Sequence, residues 1–387
     1  MMNNAFPILL YAGAILLYLY AVGVLFLRMG WKKTPDFIAQ KNTIFTTSVS
    51  VIVPARNEEN NIERCLNALL NQTYPISLFE IILVDDNSSD KTAALVKEFC
   101  ARHPQLRLHY IAMPELTDAI APKKRAIEKG VDLSSGELLL MTDADCWVGE
   151  NWIQTIVSFY LETQAKLIVG PVIVEHEKHF GILQAFEKLD FFSLVSSGAS
   201  SLYYNKALLC NGANLAVDKK AYLKVIQETK GQGIASGDDM FLMLAIQAQF
   251  ENGVRFIKAK DALVKTNAQP NFAALISQRK RWASKSFLYA DAYLTMVSVL
   301  IFLVHILLLF TGILCIFYFE CIALFLGLLL LKTLVDWIFL YPIATYFGES
   351  KMLNKIIPTE LINIVFIPLI AIASFKKEYR WKARKLN

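Results

Sequence analysis

Two kinds of apolar pattern alternate along this chain. The first kind is long and unbroken. Phe6 to Leu27 contains no charged residue. At ~1.5 Å per residue these roughly 22 positions span ~33 Å, enough to cross a bilayer core. A second apolar block runs from Ala292 to Phe347 and a third from Ile356 to Phe375. Together the last two predict membrane segments at about 294–316, 320–344 and 356–375. The second kind is short and ends in polar residues. "SVSVIVPA" (48–55) is β-branched and bounded by Pro54, which reads as a buried strand. "EIILVDD" (80–86), "LRLHYIA" (106–112) and "ELLLMTD" (137–143) predict three more.

Helical periodicity fills the gaps. After the first strand, Asn57 is placed to cap a helix with Glu58 and Glu59 in its first turn and Ile62, Leu66, Leu69 and Leu70 on one face. "NSSDKTAALVKEFCARH" gives a second cap and helix, and the basic "PKKRAIEKG" a third. Strand and helix alternating at this pitch predict an α/β fold with a doubly wound, mostly parallel sheet. Such sheets bind ligands beyond the carboxyl ends of their strands. Those ends carry Arg56, Asn57 and Glu58, then Asp85 and Asp86, then Asp143 and Asp145. No G-x-G-x-x-G follows the first strand, which argues against a nicotinamide or flavin enzyme.

Composition refines this picture in three ways. Hydrophobic residues make up 55% of the 387, concentrated in the long blocks. Arg28, Lys32 and Lys33 follow the first block, and Arg279, Lys280, Arg281 and Lys285 precede the next. The positive-inside rule therefore expects the region between them in the cytoplasm of a bacterial-type inner membrane. Three further spans would leave the basic tail, 376–387, outside. The last segment carries Glu360, Pro358 and Pro368, so it is expected to be interfacial or re-entrant. The formal charge of +5 comes largely from membrane-flanking basics, which points to anionic headgroups and not to nucleic acid. Six cysteines without paired spacing are expected to be reduced thiols.

The chemistry gathers at "LLLMTDADCW". A buried strand ending in two carboxylates is costly without a positive partner. Oxygen ligands at a sheet edge suit Mg²⁺ or Mn²⁺, which keep positions open for phosphates. A divalent cation is the expected partner here. His176 and His179, in "VEHEKHF", read as a charged surface loop.

"VIVPARNEENNI", "LVDDNSSDKT", "TDADCWV", "SGDDM" and "QRKRW" occur in that order. Together they resemble the family 2 glycosyltransferases of the GT-A fold, over about residues 45 to 285. The apolar segments behind "QRKRW" resemble the membrane-bound branch, whose catalytic domains end in a Q-x-x-R-W motif. The resemblance implies four parts: a membrane helix over 1–30, the GT-A domain, membrane or interfacial helices over 292–375, and the basic tail.

It also implies roles. Pro54, Arg56, Glu58 and Asp86 would hold the nucleoside of a nucleoside diphosphate sugar. Arg56 stands where relatives usually have an aromatic. Lys123 would meet the diphosphate. Asp143 and Asp145 would face the ribose and the metal, with Asp145 the direct ligand. Asp239 falls at the general base, with Asp238 its neighbour. Asn211 and Asn214 lie where relatives line the acceptor site, and Gln278, Arg281 and Trp282 are the matched motif. The implied function is inverting transfer from a nucleoside diphosphate sugar, of uridine type, to a membrane-associated lipid or glycan. A processive polysaccharide synthase of the same fold is one alternative. A haloacid-dehalogenase-like phosphatase, which also uses D-x-D with Mg²⁺, is the other.

Overall fold

The first apolar block forms one helix, α1 (Met2–Lys33), and the first short run forms strand β1 (Val49–Ala55). They belong to two different units of the chain. In a computed structural model, residues 2–40, 43–114, 122–176, 181–229, 238–285, 288–375, 379–381 and 384–386 are described. Of residues 2–6, 8, 227–229, 238, 379–381 and 384–386 only the backbone is described. One unit comprises Thr34–Glu175 and Leu209–Asn267 with Arg380–Asn387. The other comprises Met1–Lys33, His176–Leu208 and Ala268–Tyr379. Residues 176–208 and 268–285 therefore group with the apolar helices.

The first unit is built on a sheet of seven strands. β1 is flanked in parallel by β2 (Phe79–Asp85) and β4 (Leu138–Met141), and β2 by β3 (Leu108–Ala112). Helices α2 (Ile62–Leu70), α3 (Thr92–Arg102) and α4 (Pro122–Leu133) connect them. Every residue of β2 and β4 is buried, as continuous apolar strands in a covered parallel sheet must be. α2 packs Ile62, Leu66 and Leu69 inward, each removal from water stabilising the unit by ~1.5–3 kcal/mol.

Beyond β4 the sheet turns mixed. β8 (Leu215–Asp218) runs antiparallel to both β4 and β6 (Leu167–Val169), and β9 (Val254–Phe256) closes that edge. A second, three-stranded sheet joins β5 (Cys146–Val148), β10 (Val264–Asn267) and β7 (Val172–Glu175). Helices α5 (Trp152–Thr163), α7 (Lys219–Thr229) and α8 (Asp238–Gln249) complete the unit.

The second unit is helical: α1 with α6 (Ile182–Leu202), α9 (Phe272–Ala283), α10 (Ala292–Phe317), α11 (Cys321–Tyr346) and α12 (Ile356–Ser374). Gly30 lets α1 and α6 meet, since a Cβ there would sit 2.3 Å from the Ser200 carbonyl oxygen. Among the described residues, four helical stretches are long and apolar enough to cross a membrane: Leu9–Lys33, Ala292–Phe317, Cys321–Tyr346 and Ser350–Ser374. The last therefore has the length of a span, although its charge pattern suggested an interfacial segment.

This unit also buries charges that the apolar averages concealed. Lys332 donates to Asp336 at 2.9 Å and to Glu360 on α12. Tyr20 on α1 donates to Asp336 at 2.6 Å. Three helices are thus tied at one level by a single ammonium and its acids.

Candidate active site

The loops after β1 and β2 interlock. Asn57 and Asn87 both adopt left-handed backbone, φ 51° and 55°, which asparagine tolerates better than most residues. Asn57 N–H donates to the Ser88 hydroxyl at 2.9 Å, and its side-chain oxygen accepts from Ser89 N–H at 2.9 Å. Asn57 is therefore not the cap of α2. That helix starts five residues later, behind Asn61, because the chain first crosses to the β2 loop.

Arg56 lies beneath this crossing. It donates to the carbonyls of Asp86 and Asn87 and pairs with the Asp86 carboxylate at 3.6 Å. It is buried, so its part is to shape the Asp86 loop. Glu58 is buried as well. Its N–H donates to Thr92 at 2.7 Å and its carboxylate accepts from Asn61 at 2.8 Å. Pro54 is half-buried within β1, in register with Val84. Asp85 is consumed internally by Ser88 and by Tyr110, whose hydroxyl donates at 2.8 Å. Of the acid pair ending β2, Asp86 sits beside the arginine and Asp85 braces the loop.

The D-x-D segment follows β4 directly. Asp143 and Asp145 are half-buried, on a turn closed by Cys146 N–H donating to the Asp143 carbonyl at 3.0 Å. The positive partner of Asp143 is Lys123, at the start of α4. Its Nζ lies 2.6 Å from Asp143 Oδ1. Burial pulls the ammonium down, but Asp143, Asp239 and Asp145 outweigh it and hold Lys123 above the usual lysine range. The protein thus supplies a cation of its own, where the sequence suggested that only a metal would.

Two thiols back the turn. Cys146 Sγ lies 3.5 Å from Asp145 Oδ1, and Cys65 Sγ lies 3.8 Å from the Asp143 carbonyl. Burial and then Asp145 push both well above the usual thiol range, so they pack as neutral S–H groups.

Asp239 stands in the first turn of α8. Its carboxylate accepts from Gly212 N–H and from its own helix at Met240 N–H, both at 2.9 Å. The start of α8 and the Asn211–Asn214 turn therefore meet through Asp239 and Gly212. Asp238 opens α8, and its side chain lies outside the described residues.

Asn211 folds its side chain onto Ala213 N–H at 3.0 Å. Asn214 is different. It is 1% exposed. Its amide donates to the Pro171 and Ala262 carbonyls at 2.8 Å each, and its oxygen accepts from Trp152 at 3.1 Å. A Cβ on Gly170 would overlap it at 2.2 Å. Asn214 is thus a buried pin held by three partners.

One network escaped the sequence pattern. Arg64 on α2 stacks 3.7 Å over Trp147, the second residue after Asp145, and donates to Asn267 at 2.7 Å. Asn267 donates to Asn61 at 2.8 Å, which holds Glu58. The end of β1 is thereby linked to the strand after D-x-D. The only hint was Arg64 as a lone cation on the polar side of α2.

In the helical unit, Gln278, Arg281 and Trp282 are half-buried on α9. Gln278 accepts from Arg279, whose guanidinium lies 4.5 Å over the Trp282 ring. The His176 side chain is 4.0 Å from the Glu187 carboxylate and largely covered, not a surface group, and His179 lies outside the described residues.

With this geometry in place, comparison with known proteins is informative. The model "Glycosyl transferase family 2" matches residues 50–204, and "Glycosyl transferase family group 2" matches residues 138–348. The chain belongs to the family 2 glycosyl transferases. That membership sets aside the phosphatase alternative. "Glycosyltransferase AglE" of Haloferax volcanii is 35% identical over 124 residues, 32% of this chain and 39% of that protein. "Beta-monoglucosyldiacylglycerol synthase" of Trichormus variabilis is 28% identical over 142 residues, 37% of this chain and 28% of that protein. The chain thus spans less than half the length of either relative. A mannosyltransferase from Pyrobaculum calidifontis, solved with GDP-Man and Mn²⁺, aligns at TM-score 0.56 with 18% identity, over 92% of this chain and 99% of that one. The fold is GT-A.

Proposed function

We propose that this chain is an inverting glycosyltransferase. It moves a sugar from a nucleoside diphosphate sugar, of uridine type, to a membrane-associated lipid or glycan acceptor. One observation carries the reading: Lys123 sits within the field of Asp143, Asp145 and Asp239 at the carboxyl ends of parallel strands. A cation among acids at that edge suits a diphosphate that must gain charge as it leaves.

Inversion is an in-line displacement. The acceptor oxygen bonds to the anomeric carbon while the bond to the diphosphate breaks. Asp239 takes the hydroxyl proton, and its hydrogen bond from Gly212 fixes the carboxylate for that task. Pro54 and Asp86 frame the nucleoside, with Arg56 and Glu58 holding their loops. Lys123 turns from Asp143 toward the diphosphate. By the resemblance of their motif, Gln278, Arg281 and Trp282 are further candidate substrate contacts, the planar Arg281 fork being suited to phosphate oxygens.

Asp143 and Asp145 offer two half-buried carboxylates one residue apart, hard oxygen donors of the kind that suits a divalent ion. Mg²⁺ or Mn²⁺ held there would supply charge stabilisation to the leaving diphosphate. The four apolar helices support a membrane acceptor, and the basic residues flanking them support a cytoplasmic catalytic unit.

The test is a panel of nucleotide sugars incubated with membranes carrying the protein, followed by mass analysis of labelled lipid and glycan. A single sugar added to lipid is the expected product. A long polymer would favour a synthase, and no transfer from any donor would remove the reading. Asp145→Ala should abolish metal-dependent nucleotide binding. Unchanged Mn²⁺ dependence would count against the assignment of the metal site.

A further inference from the structure

The motif helix α9 is gripped by one face of α6. Glu187 and Asp190 are three residues apart, so they share that face. Glu187 accepts from Gln269 N–H at 2.7 Å, just before the Asn271 cap of α9. Asp190 accepts from Arg279 Nε at 2.6 Å. Between these two anchors, Phe186 and Leu275 pack with Phe366 and Ile370 of α12.

Arg279 is the second residue of "QRKRW" and is 5% exposed. Its planar guanidinium does three things at once. It pairs with Asp190, donates to the side-chain oxygen of Gln278, and lies 4.5 Å over the Trp282 ring. A buried guanidinium without a carboxylate would be expensive to keep, so Asp190 fixes both the charge and the plane of the fork. The two motif side chains that lean on Arg279 inherit that plane.

We propose that Asp190, acting through Arg279, is a positioning residue for sugar transfer: it sets the orientation of Gln278 and Trp282 for the acceptor. This rests on the glycosyltransferase reading above. Asp190 falls outside every motif in the sequence, 88 residues before Gln278, and its role comes from the contact alone.

The experiment pairs an activity readout with one that needs no substrate. The full chain is purified in detergent as wild type, Asp190→Ala, Asp190→Glu, Arg279→Lys, Arg279→Gln and Asp190→Ala/Arg279→Gln. The first readout is Trp282 itself, isolated as the difference in acrylamide quenching between each protein and its Trp282→Phe partner. Asp190→Ala should raise that quenching at least twofold, and Asp190→Glu should restore it. The second is the split between kcat and donor binding. Transfer kcat should fall about 30-fold or more in Asp190→Ala while the nucleoside diphosphate Kd stays within about threefold, because Asp86 and Lys123 are untouched.

If Asp190→Ala cannot be extracted folded, Arg279→Lys decides. It keeps the charge for Asp190 but cannot also hold Gln278 and stack on Trp282, so kcat should fall with normal extraction. The double variant should be no worse than the worse single, as for two groups acting as one unit. Unchanged quenching, unchanged kcat, a loss confined to donor Kd, or additive losses would each overturn the proposal. A wild type inactive with every donor would sink the glycosyltransferase reading instead, and the quenching result would still judge the clamp.

Discussion

Lys123 Nζ lies 2.6 Å from Asp143 Oδ1, joining the first turn of α4 to the first acid of D-A-D. The pair places a cation where the proposed donor diphosphate would lie, and it must open for that diphosphate to be held. Lys123→Ala should therefore raise the donor KM about tenfold or more and lower kcat as well, because a charge-assisted contact to the leaving group is lost. Lys123→Arg should recover part of both. Steady-state kinetics at saturating acceptor checks this. The raised lysine pKa fixes the sign of the pH effect. A raised folded pKa means the pair is fully present below the ordinary lysine value and fades only as pH rises through the higher folded one. Donor KM should thus show no lysine-linked rise between about pH 6 and 10.

Asp239→Asn separates binding from chemistry. The amide oxygen still accepts from Gly212 N–H and gives up only the bond from Met240 N–H, so the "CNGAN" segment should stay in place. It cannot take a proton. Transfer should fall about 10²–10⁴-fold while nucleoside diphosphate affinity changes by less than threefold. Isothermal titration beside a radiolabelled transfer assay reads both. Retained turnover would remove Asp239 as the base.

The four parallel strands and the acids at their ends were legible because apolar runs such as Leu138–Met141 stop abruptly at charged residues. What each acid touches was not. Lys123 and Asp143 are 20 residues apart, and no local period couples a helix N-terminus to a strand end. Asp85 and Asp86 are neighbours with different tasks, decided by Tyr110 and Arg56 on other elements. Only the resemblance puts Asn214 at the acceptor site; its three partners come from segments distant in sequence. The mixed half of the sheet was missed because β6, β8 and β9 run only three or four residues each, too short for alternation to register. Lys332 and Asp336 vanished into a hydropathy average that twenty apolar neighbours dominate.

Asn214→Ala should damage the fold and not the acceptor site. It leaves the carbonyls of Pro171 and Ala262 and the Trp152 indole without their partner in a buried place. Each orphaned group costs about 1–3 kcal/mol, so the melting temperature of the purified protein should drop by several degrees. Acceptor KM, measured well below that temperature, should not move. Gly170→Ala should give a similar loss, since its Cβ would meet the Asn214 amide.

Glu80 makes acid stability testable. Burial pushes its carboxyl up, but hydrogen bonds from Ser50 and Ser135 and the Arg107 charge outweigh that and hold it below the usual carboxylate range. A lowered folded pKa stabilises above the unfolded value of ~4.3 and loses that stabilisation as pH falls through the lower folded one. Glu80→Gln should melt earlier than wild type at pH 7, and the gap should close below about pH 4. Thermal scans at pH 7, 5 and 3.5 check the sign. A gap that widens on acidification would contradict it.

The last prediction concerns Lys332, which is 2% exposed and the shared partner of Asp336 and Glu360. Lys332→Met keeps the length and apolar stem but strands two carboxylates among apolar helices. Breaking a buried pair in this way costs about 3–5 kcal/mol, because an uncompensated charge remains. The variant should be poorly extracted or melt well below wild type. Replacing all three at once, Lys332→Met with Asp336→Leu and Glu360→Leu, removes the stranded charges along with the cation and should recover most of the loss. Tyr20 would then lack its acceptor on α11, so a residual deficit should remain that Tyr20→Phe removes. Extraction yield and melting temperature across these four proteins decide it: a triple variant as unstable as the single would mean that packing around Lys332, and not charge balance, holds α1, α11 and α12 together.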